Sequence, residues 1–461
     1  MKTLRTGLYS EGSLTRHILT LAVPTLLADF VNVLYSTVDR AFIGHMEGDG
    51  TLALSGVGVV FPLISFISAF ATFFSSGATP IAAIERGKGD DEKAGLIMNT
   101  AFTMALITGV VLTVLLYIFR TPLLYLMGAE ESTIGYAVEY FSIYVLGTVF
   151  VLISVGFNSF ITMQGHGTVG MMTVIIGAVI NTVLDPVFIF VFGMGVKGAA
   201  VATVISQAAS SLYVVLFLRS RKSDLKLDRL ILDRAVILRI LKLGVSGFMF
   251  KMTNSLTQAA SNMTLRLYGG ALSTLYIGAM SIINSLREMV SLPISAVTQS
   301  SQSVMGFNYG ARKSDRVCST IRIMTVMSLS YAVLSWAFVM AFPGVLISVF
   351  TPDEGLVSVT VPVMRIYFAV FFMMTFQSSG QTTFVGLNHP KSAVFFSLLR
   401  KVFLVLPLII LLPRLGLGVY GVFYAEALSQ LIGASACYLT MFFTVYRPLK
   451  KGTYDYEKYS K

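Results

Sequence analysis

Twelve apolar segments recur along this chain, and each is long enough to cross a lipid bilayer. A transmembrane helix requires about 20 predominantly apolar residues. The chain is 55% hydrophobic and 12% charged, whereas a soluble domain carries about 25% charged residues, so a soluble protein with a large core is the weaker alternative. We therefore predict an all-α integral membrane protein with twelve transmembrane helices. The predicted spans are residues 15–43, 52–84, 94–119, 132–160, 168–192, 197–218, 236–267, 275–305, 316–341, 357–385, 392–412 and 417–446.

The distribution of basic residues predicts how these spans are oriented. The chain has a formal net charge of +11. If the N-terminus starts inside the cell, most Lys and Arg residues fall on that side, and the opposite loops hold only Arg120, Lys197 and Arg414. This is the positive-inside bias of membrane proteins. It predicts that both termini are cytoplasmic, and it accounts for the basic charge through anionic lipid, without a nucleic-acid partner.

A gapless internal repeat divides the chain into two halves. The stretch GMGVKGAAVATVISQ at positions 193–207 recurs as GLGVYGVFYAEALSQ at positions 416–430. We call this constant shift, which takes Gly193 to Gly416, the repeat offset. It predicts an N-terminal lobe at 1–222 and a C-terminal lobe at 223–461. The charged run at 219–234 joins them, and its density of charge predicts a cytoplasmic linker or a surface helix.

Each lobe carries six predicted spans, so both lobes enter the membrane in the same orientation. A parallel repeat of this kind implies a pseudo-two-fold axis along the membrane normal. We predict two pseudo-symmetric six-helix bundles that form a V-shaped central cleft, an architecture suited to alternating access. Within the repeated stretch, Gly198, Ala199 and Ala202 are small residues at helical spacing, which indicates close helix packing.

Ionisable side chains inside a membrane span are costly and are usually functional. Asp39 lies near the outer end of the first span. Asn181 and Asp185 lie one helical turn apart on one face of the fifth span, and Pro186 should kink that helix. Thr203 lies in the outer half of the sixth span. We expect these four oxygen-bearing side chains, Asp39, Asn181, Asp185 and Thr203, to reach similar depth on three helices of one lobe.

The residue types of this group suit two coupling ions, and they leave a simpler alternative open. Carboxylate, amide and hydroxyl oxygens are hard ligands that could hold a sodium ion, which would make all four residues metal ligands. Two close carboxylates also repel each other, so they favour sharing a proton. In the simpler alternative, Asp39 pairs with Arg40 at the membrane interface and Asp185 caps the kink at Pro186.

Other charged residues in the spans have two interpretations. Asp29 could act as a second relay or substrate carboxylate, or could pair with a base. In the second half, charged side chains form either inter-helix ion pairs or a C-lobe proton or substrate site. The counterparts of Asp39 and Asp185 in the repeat are Asn262 and Leu408, so we assign ion coupling to the N-terminal lobe. The charged residues of the second half are Lys251, Arg287, Glu288, Arg400, Lys401 and Glu426.

The chain is rich in Met and Phe, with 22 and 34 residues respectively. Flexible and aromatic side chains suit a cavity that accepts varied flat apolar cations. The candidates for such a substrate cavity are Asp29, Tyr35, Met163, Met172, Met280 and Glu288.

Several segments resemble the MATE family (multidrug and toxic compound extrusion), and most closely its bacterial MepA-like or DinF-like branch. They are STVDRAFIGHMEGDGTLALSGVGV, ERGKGDDEKA, MQGHGTVGMMTVIIGAVINTVLDPVFIF and FNYGARKSDR. The resemblance covers nearly the whole chain in order and spacing. It implies a V-shaped twelve-helix antiporter of the bacterial inner membrane that exports drugs in exchange for sodium ions or protons.

The resemblance also carries over a coupling site residue by residue. Prokaryotic members use an Asp in span one, an Asn and an Asp one turn apart in span five, and a Thr in span six, which match Asp39, Asn181, Asp185 and Thr203. Another branch uses acidic residues in spans seven and ten. This chain has Lys251 and Arg266 in span seven and only Arg365 in span ten, so that pattern is absent.

The leading hypothesis is therefore a secondary antiporter that exports amphipathic organic cations. The alternative within the same superfamily is a flippase or exporter of a lipid-linked or oligosaccharide substrate, which the basic residues of the C-terminal lobe favour. The chain has no P-loop or HExxH motif, so we expect a transporter and not an enzyme. The expected partners are small-molecule drugs and the lipid bilayer. We expect a monomer without a cofactor other than the coupling ion.

Overall fold

The computed structural model describes residue 9, residues 11–44, residue 46, residues 50–350 and residues 353–456, without the side chains of residues 36, 37, 40, 41, 50 and 51. Within these ranges the regular secondary structure is helical throughout. The α-helices of the first half are α1 (Leu14–Gly44), α2 (Gly50–Gly87), α3 (Asp91–Ile118), α4 (Arg120–Leu126), α5 (Ile134–Tyr144), α6 (Thr148–Met163), α7 (Gly167–Pro186) and α8 (Gly195–Arg219). Those of the second half are α9 (Arg234–Tyr268), α10 (Ser273–Gly310), α11 (Ser314–Ala341), α12 (Pro343–Ser348), α13 (Glu354–Phe368), α14 (Met374–Gly386), α15 (Pro390–Leu398), α16 (Leu406–Leu412), α17 (Tyr420–Met441) and α18 (Arg447–Lys451).

The helices agree with a protein that crosses the membrane many times. In the described part of the chain, nine helical segments are long and apolar enough to span a bilayer. The pair α13 and α14, bent by 41° at a short break, makes a tenth. The other two predicted spans correspond to α9 and α10, which have 35 and 38 residues. These helices have the length of a span but are less apolar, because α9 carries several basic residues and α10 is rich in Ser, Asn and Gln.

The repeat offset is present in the helix boundaries themselves. Helix α2 begins at Gly50 and ends at Gly87, and the equivalent helix α10 begins at Ser273 and ends at Gly310. Helices α3 and α11 are related by the same shift at both of their ends. In both halves a short helix follows, and the next long segment is interrupted by one 3₁₀ turn. The repeat seen in the sequence is thus a repeat of helical elements.

The repeated stretch that reveals the two halves forms a turn followed by a close contact between helical segments. Gly195 and its counterpart Gly418 have φ angles of 56° and 52°, a region that residues with a Cβ rarely adopt. At Gly198, an added Cβ would lie 2.7 Å from the carbonyl carbon of Phe188. At its counterpart Gly421, an added Cβ would lie 2.6 Å from the backbone nitrogen of Pro413. These contacts agree with the predicted packing role of the small residues.

The chain forms two compact units. The first unit is Val23–Lys251, and the second is Met1–Ala22 together with Met252–Lys461. Both boundaries fall inside helices, the first in α1 and the second in α9. The division into lobes at 1–222 and 223–461 stays a prediction.

The charged joint between the two halves is an irregular segment and not a surface helix. Residues 220–233 contain no helix. Gln164 Oε1 accepts hydrogen bonds from the backbone N–H groups of Asp224 and Leu225 at 2.8 and 2.9 Å. Asn99 Oδ1 accepts two more, from Asp228 and Arg229, at 3.2 and 3.1 Å. Two polar side chains of the first unit therefore hold this segment by its backbone, as buried backbone groups require.

Helix α3 begins at a well-defined cap after a short loop. Asp90 Oδ1 accepts a hydrogen bond from the backbone N–H of Lys93 at 2.9 Å, which satisfies one free donor of the first turn. The Lys93 ammonium lies 2.9 Å from Asp90 Oδ2. These contacts with Lys93 hold the pKa of the Asp90 carboxyl below its usual value. The acidic stretch GDDEK therefore fixes the start of α3.

Candidate functional site

Three helices of the first unit bring the predicted coupling residues together. Asn181 and Asp185 lie on one face of α7, and Thr203 lies on the adjacent α8. Asn181 donates a hydrogen bond from Nδ2 to Oδ1 of Asp185 at 3.0 Å. The same amide nitrogen lies 3.5 Å from Thr203 Oγ1. We call Asp39, Asn181, Asp185 and Thr203 the first-unit cluster.

Asp39 completes this cluster from α1. Its carboxyl group lies close enough to that of Asp185 for the two charges to interact. Two carboxylates at such close range repel each other, so a proton or a cation between them relieves the repulsion. The side chain of Arg40 lies outside the described residues, so its pairing with Asp39 stays a prediction.

Three members of the first-unit cluster are buried inside the protein, and Asp39 is partly buried. The exposed fractions of Asp185, Asn181 and Thr203 are 0%, 2% and 8%. Thr203 donates its own hydrogen bond back to the carbonyl of Ala199 at 2.9 Å. Asn181 Oδ1 is buried and accepts no hydrogen bond from the described part of the chain. A buried acceptor without a donor is uncommon in proteins, and here it lies beside two carboxyl groups.

The oxygen atoms of this cluster have the chemistry of a proton or sodium site. Carboxylate, amide and hydroxyl oxygens are the ligands that hard cations prefer. The two carboxyl groups supply the negative charge that a buried cation needs, since an isolated charge in an apolar interior is very costly. The residues present therefore fit either ion.

Pro186 ends the regular part of α7 directly after Asp185. A π-helical turn, Val187–Val191, follows it. Proline has no N–H group to donate, so the hydrogen-bond pattern of an α-helix cannot continue unchanged through it. Short π-helical insertions often occur at functional sites. The predicted helix irregularity at Pro186 thus lies beside the buried carboxyl group.

Tyrosine side chains lie around the first-unit cluster, and of these the sequence predicts only Tyr35 as a candidate functional residue. Tyr35 lies close enough to Asp39 and Asp185 to interact with both charges. Tyr140 makes a side-chain hydrogen bond with Thr203. Tyr144, stacked on Tyr140 with ring centroids 6.0 Å apart, accepts a hydrogen bond from Gln207 Nε2 at 3.4 Å. In the sequence, Tyr140 and Tyr144 could have been identified from their spacing, which is one turn of α5.

The remaining cavity candidates of the first unit differ in how exposed they are. Asp29 is partly buried and interacts electrostatically with Lys251. Met163 is 1% exposed and belongs to the interior of the first unit. Met172 is 38% exposed. Their roles in substrate binding stay predictions.

A second group of buried charges lies in the second unit. Arg400 donates from Nη1 to Glu426 Oε1 at 2.8 Å and also to Gln430 Oε1. Lys401 donates from Nζ to Glu426 Oε1 at 3.1 Å. The exposed fractions of Arg400, Lys401 and Glu426 are 7%, 3% and 7%. The inter-helix ion pairs foreseen as one interpretation of these residues are therefore present.

Local backbone features allow this arrangement. Arg400 and Lys401 lie in a π-helical segment, Leu399–Val405. At Gly433 on α17, an added Cβ would lie 2.9 Å from Arg400 Cγ. Gly433 therefore leaves the space through which the Arg400 side chain passes to reach Glu426.

Two adjoining cavities in the second unit are lined by this group and by Arg287. We call Arg287, Arg400, Lys401 and Glu426 the second-unit cluster. Met280 lines one cavity, whereas Glu288 is exposed. The lining residues of the first cavity are Arg287, Tyr367, Phe371, Met374, Arg400, Glu426 and Gln430. Those of the second include Asn254, Thr257, Ser261, Met280, Asn284, Arg287, Tyr367, Lys401 and Glu426.

Comparison with known protein families gives a match over most of the chain. The model of the family described as MatE matches residues 24–187 and 252–411. The two matched regions correspond to the two halves of the repeat.

Named relatives of this chain are described as drug-resistance and export proteins. The probable multidrug resistance protein YoeA of Bacillus subtilis (strain 168) is 29% identical over 325 residues, which cover 68% of each chain. The multidrug export protein MepA of Staphylococcus haemolyticus (strain JCSC1435) is 21% identical over 459 residues, which cover 99% of this chain and 98% of that protein.

Solved structures share the fold over almost the whole length. One is the outward-facing conformation of a multidrug resistance MATE family transporter of the MOP superfamily, with a TM-score of 0.89, 22% identity and coverage of 97% of this chain and 99% of that chain. Another is a MOP superfamily transporter from Pyrococcus furiosus, for which reverse polarity of the binding pocket suggests a different function. It has a TM-score of 0.89 and 21% identity, with the same coverage. At these identities the likeness establishes the twelve-span fold.

Proposed function

Because the chain belongs to the MatE family of multidrug efflux transporters, we propose that it is a secondary antiporter that exports amphipathic organic cations in exchange for protons or sodium ions. The observation that carries this proposal is the first-unit cluster, in which Asn181, Asp185 and Thr203 are buried and Asp39 is partly buried. Two carboxyl groups, an amide and a hydroxyl from three helices meet there. Buried carboxylates in a transporter are the groups that bind and release coupling ions.

The proposed coupling step is the binding of one ion between Asp39 and Asp185. With a proton, one carboxyl group becomes neutral and donates to the other. With a sodium ion, the oxygens of both carboxylates and of Asn181 and Thr203 share the charge. Either ion removes the repulsion between the carboxylates, so it favours the arrangement in which α1 and α7 lie together.

Loss of the ion then favours a different arrangement of the same helices. Two ionised carboxylates repel each other in a poorly polarisable environment. The resulting shift of α1 against α7 is absorbed at Pro186, where the helical hydrogen-bond pattern is already interrupted. In this scheme the ion-bound and ion-free states have different affinities for the exported compound, which is the requirement for coupling.

The proposed orientation places both termini in the cytoplasm and the first-unit cluster nearer the outside. The support is the positive-inside distribution of Lys and Arg in the sequence. Ions would then enter from outside, down their gradient, and the exported compound would leave in the opposite direction. No covalent chemistry is part of the proposal.

The test is transport by the purified protein in liposomes loaded with ethidium. A pH gradient and a sodium gradient are imposed separately, and each is then abolished with the matching ionophore. We expect ethidium movement driven by one gradient and lost with its ionophore. Movement that is indifferent to both gradients, or no movement under either, would contradict the proposal.

A second candidate function is export of a lipid-linked or oligosaccharide substrate. The observation that favours it is the surplus of basic side chains in the second-unit cluster, which suits a phosphate-bearing substrate better than a cation. If ethidium is not transported, reconstitution with a fluorescent isoprenoid-phosphate sugar would separate the two functions. Its movement across the bilayer would support the second candidate.

A further inference from the structure

The second-unit cluster occupies the same positions of the repeat as part of the first-unit cluster. Glu426 on α17 is the counterpart of Thr203 on α8, because the repeat offset takes one position to the other. Tyr144 and Tyr367 are related by the same offset. Both halves of the molecule therefore place a buried polar centre at equivalent positions of the helical repeat.

The charges of these two centres are opposite. The carboxyl groups Asp39 and Asp185 have the uncharged counterparts Asn262 and Leu408. Arg400 and Lys401 have the uncharged counterparts Gly177 and Ala178 in the first half. The repeat thus keeps a polar side chain at the equivalent positions of α8 and α17. The ionisable side chains around it are acidic in the first half and mostly basic in the second.

The basic side chains of the second-unit cluster outnumber its acids. Glu426 is already engaged by Arg400 and Lys401. Arg287 makes no ion pair within 4 Å in the described part of the chain. Its Nε atom is buried and has no hydrogen-bond partner among the described groups. Arg287 is partly buried, and the charges of Glu426 and Glu288 act on it from beyond ion-pair distance. Three basic side chains therefore share the single acid of this cluster, which favours an additional anionic group.

The adjacent cavity could accept such a group. Arg287, Lys401 and Glu426 line it, together with hydroxyl and amide side chains such as Thr257 and Asn284. Its volume is about 40 Å³, and one water requires about 10–15 Å³ measured in this way. It therefore has room for a carboxylate-sized group. Val405, Ile409 and Val422 supply an apolar wall on which a hydrophobic body could lie.

We propose that the second-unit cluster is an anion-binding site that takes a carboxylate or phosphate group of an amphipathic ligand, with Arg287 as the residue that contacts it. Guanidinium groups bind such oxyanions in a bidentate manner, and a charge-assisted hydrogen bond is stronger than a neutral one. The proposal extends the proposed function, because exported compounds would include zwitterions that carry both an amine and an acid. The acid could also belong to a lipid headgroup.

The test compares binding of two dyes that differ only at this group. Rhodamine B carries a free carboxylate, and its ethyl ester does not. Binding of both is measured with the full-length protein in phosphatidylcholine nanodiscs, by fluorescence anisotropy. We expect the acid to bind about ten-fold more tightly than the ester, which corresponds to about 1.4 kcal/mol. Equal affinity of the two dyes for the wild-type protein would overturn the proposal.

Variants of Arg287 and a control assign the preference to this site. Arg287→Gln should remove the preference for the acid, so that the acid and the ester bind with similar affinity, and its thermal unfolding midpoint reports whether the variant is folded. Arg287→Lys keeps the charge and should retain part of the preference. The control is Arg365→Gln, which removes an exposed guanidinium of the same unit that lines neither cavity. A full preference for the acid in Arg287→Gln would contradict the assignment.

Trp336 supplies an independent signal from the same unit. It is the single tryptophan of the chain, and its ring packs against Phe372, with centroids 5.6 Å apart. Phe371, the preceding residue, lines the first cavity. Rhodamine B would absorb light in this measurement, so inorganic phosphate is the anion that is added instead. We expect phosphate to shift the fluorescence emission of Trp336 in the wild type and not in Arg287→Gln. A phosphate-induced shift that persists unchanged in Arg287→Gln would count against the site.

A lipid arm distinguishes the two sources of the acid. Phosphatidic acid is added to the nanodiscs before rhodamine B is titrated. Weaker binding of rhodamine B in the wild type, with no change for the ester, would identify a lipid headgroup as an occupant. Unchanged binding with the acid preference intact would identify a transported solute. A negative result in these binding experiments would leave ion-driven ethidium transport unaffected. The anion-site proposal and the proposed antiport function can therefore be contradicted independently of each other.

Discussion

Asn181 donates a hydrogen bond to Asp185 across one turn of α7, with 3.0 Å between Nδ2 and Oδ1. This contact orients a carboxyl group whose side chain is fully buried. It also leaves the amide oxygen of Asn181 without a donor in the described part of the chain. The pair therefore presents acceptor oxygens to a cation and keeps them in a fixed geometry, and several consequences can be measured.

The first prediction concerns Asn181. Replacement by Leu removes both the donor that orients Asp185 and the free acceptor oxygen. Because a hydrogen bond to a charged group contributes about 1.5–3 kcal/mol, we expect the ion concentration for half-maximal transport to rise by about ten-fold or more. Ethidium transport against a range of pH or sodium values measures this. Thr444→Val, which removes an exposed hydroxyl of the second unit, is the control. An unchanged ion dependence in Asn181→Leu would exclude Asn181 from the site.

The second prediction concerns the repeated glycines. In Gly198→Ala the new Cβ would lie 2.7 Å from the Phe188 carbonyl carbon, so α8 must move away from its neighbour. Overpacking of this kind costs about 1–3 kcal/mol, and the midpoint of thermal unfolding should fall. Gly421→Ala should have the same effect in the second half. Gly58→Ala, where an added Cβ meets nothing within 4 Å, should leave the midpoint unchanged or higher.

The third prediction concerns the segment that joins the halves. Gln164→Ala removes the acceptor of three hydrogen bonds from Ser223, Asp224 and Leu225. The segment should detach locally, and its amide hydrogens should exchange faster by mass spectrometry, while those of the helices do not. Gln258→Ala, an exposed glutamine on α9, is the matched control. Protection of residues 220–233 at the wild-type level in Gln164→Ala would contradict this account.

The fourth prediction concerns the ion pairs of the second unit. Glu426→Gln leaves Arg400 and Lys401 buried without their counter-charge. Loss of one partner of a buried ion pair costs about 3–5 kcal/mol, so the unfolding midpoint in detergent should drop clearly. Glu288→Gln removes an exposed carboxylate next to Arg287 in the chain and should have little effect. Equal midpoints for the two variants would mean that Glu426 does not neutralise the buried bases.

The architecture could be predicted from the sequence to a large extent, because a bilayer imposes a length and an apolar composition on every span. The constant repeat offset identified the two halves, and the boundaries of α2 and α10 follow it. Helices α9 and α10 were the weakest spans by composition. Their polar residues are tolerated because several of them line cavities inside the second unit.

The first-unit cluster was also accessible from sequence, because carboxylates are conspicuous in apolar helices. Tyr140 was not, since a tyrosine in a span is common and its hydroxyl partner Thr203 lies on another helix. Likewise, the sequence placed Arg400, Lys401 and Glu426 in spans but could not pair them. Their contacts depend on how α17 packs against the segment Leu399–Val405, which no local pattern encodes.

The most direct test of the central claim is ion movement driven by substrate. Proteoliposomes that contain an internal proton- or sodium-sensitive dye receive ethidium, and the ion flux is recorded for the wild type, Asp39→Asn, Asp185→Asn and the exposed control Asp228→Asn. We predict that ethidium drives ion flux in the wild type and the control. In both cluster variants the flux should be lost, while ethidium binding and folding persist. Ethidium-driven flux at the wild-type level in Asp39→Asn and Asp185→Asn would contradict the assignment of the first-unit cluster as the coupling site.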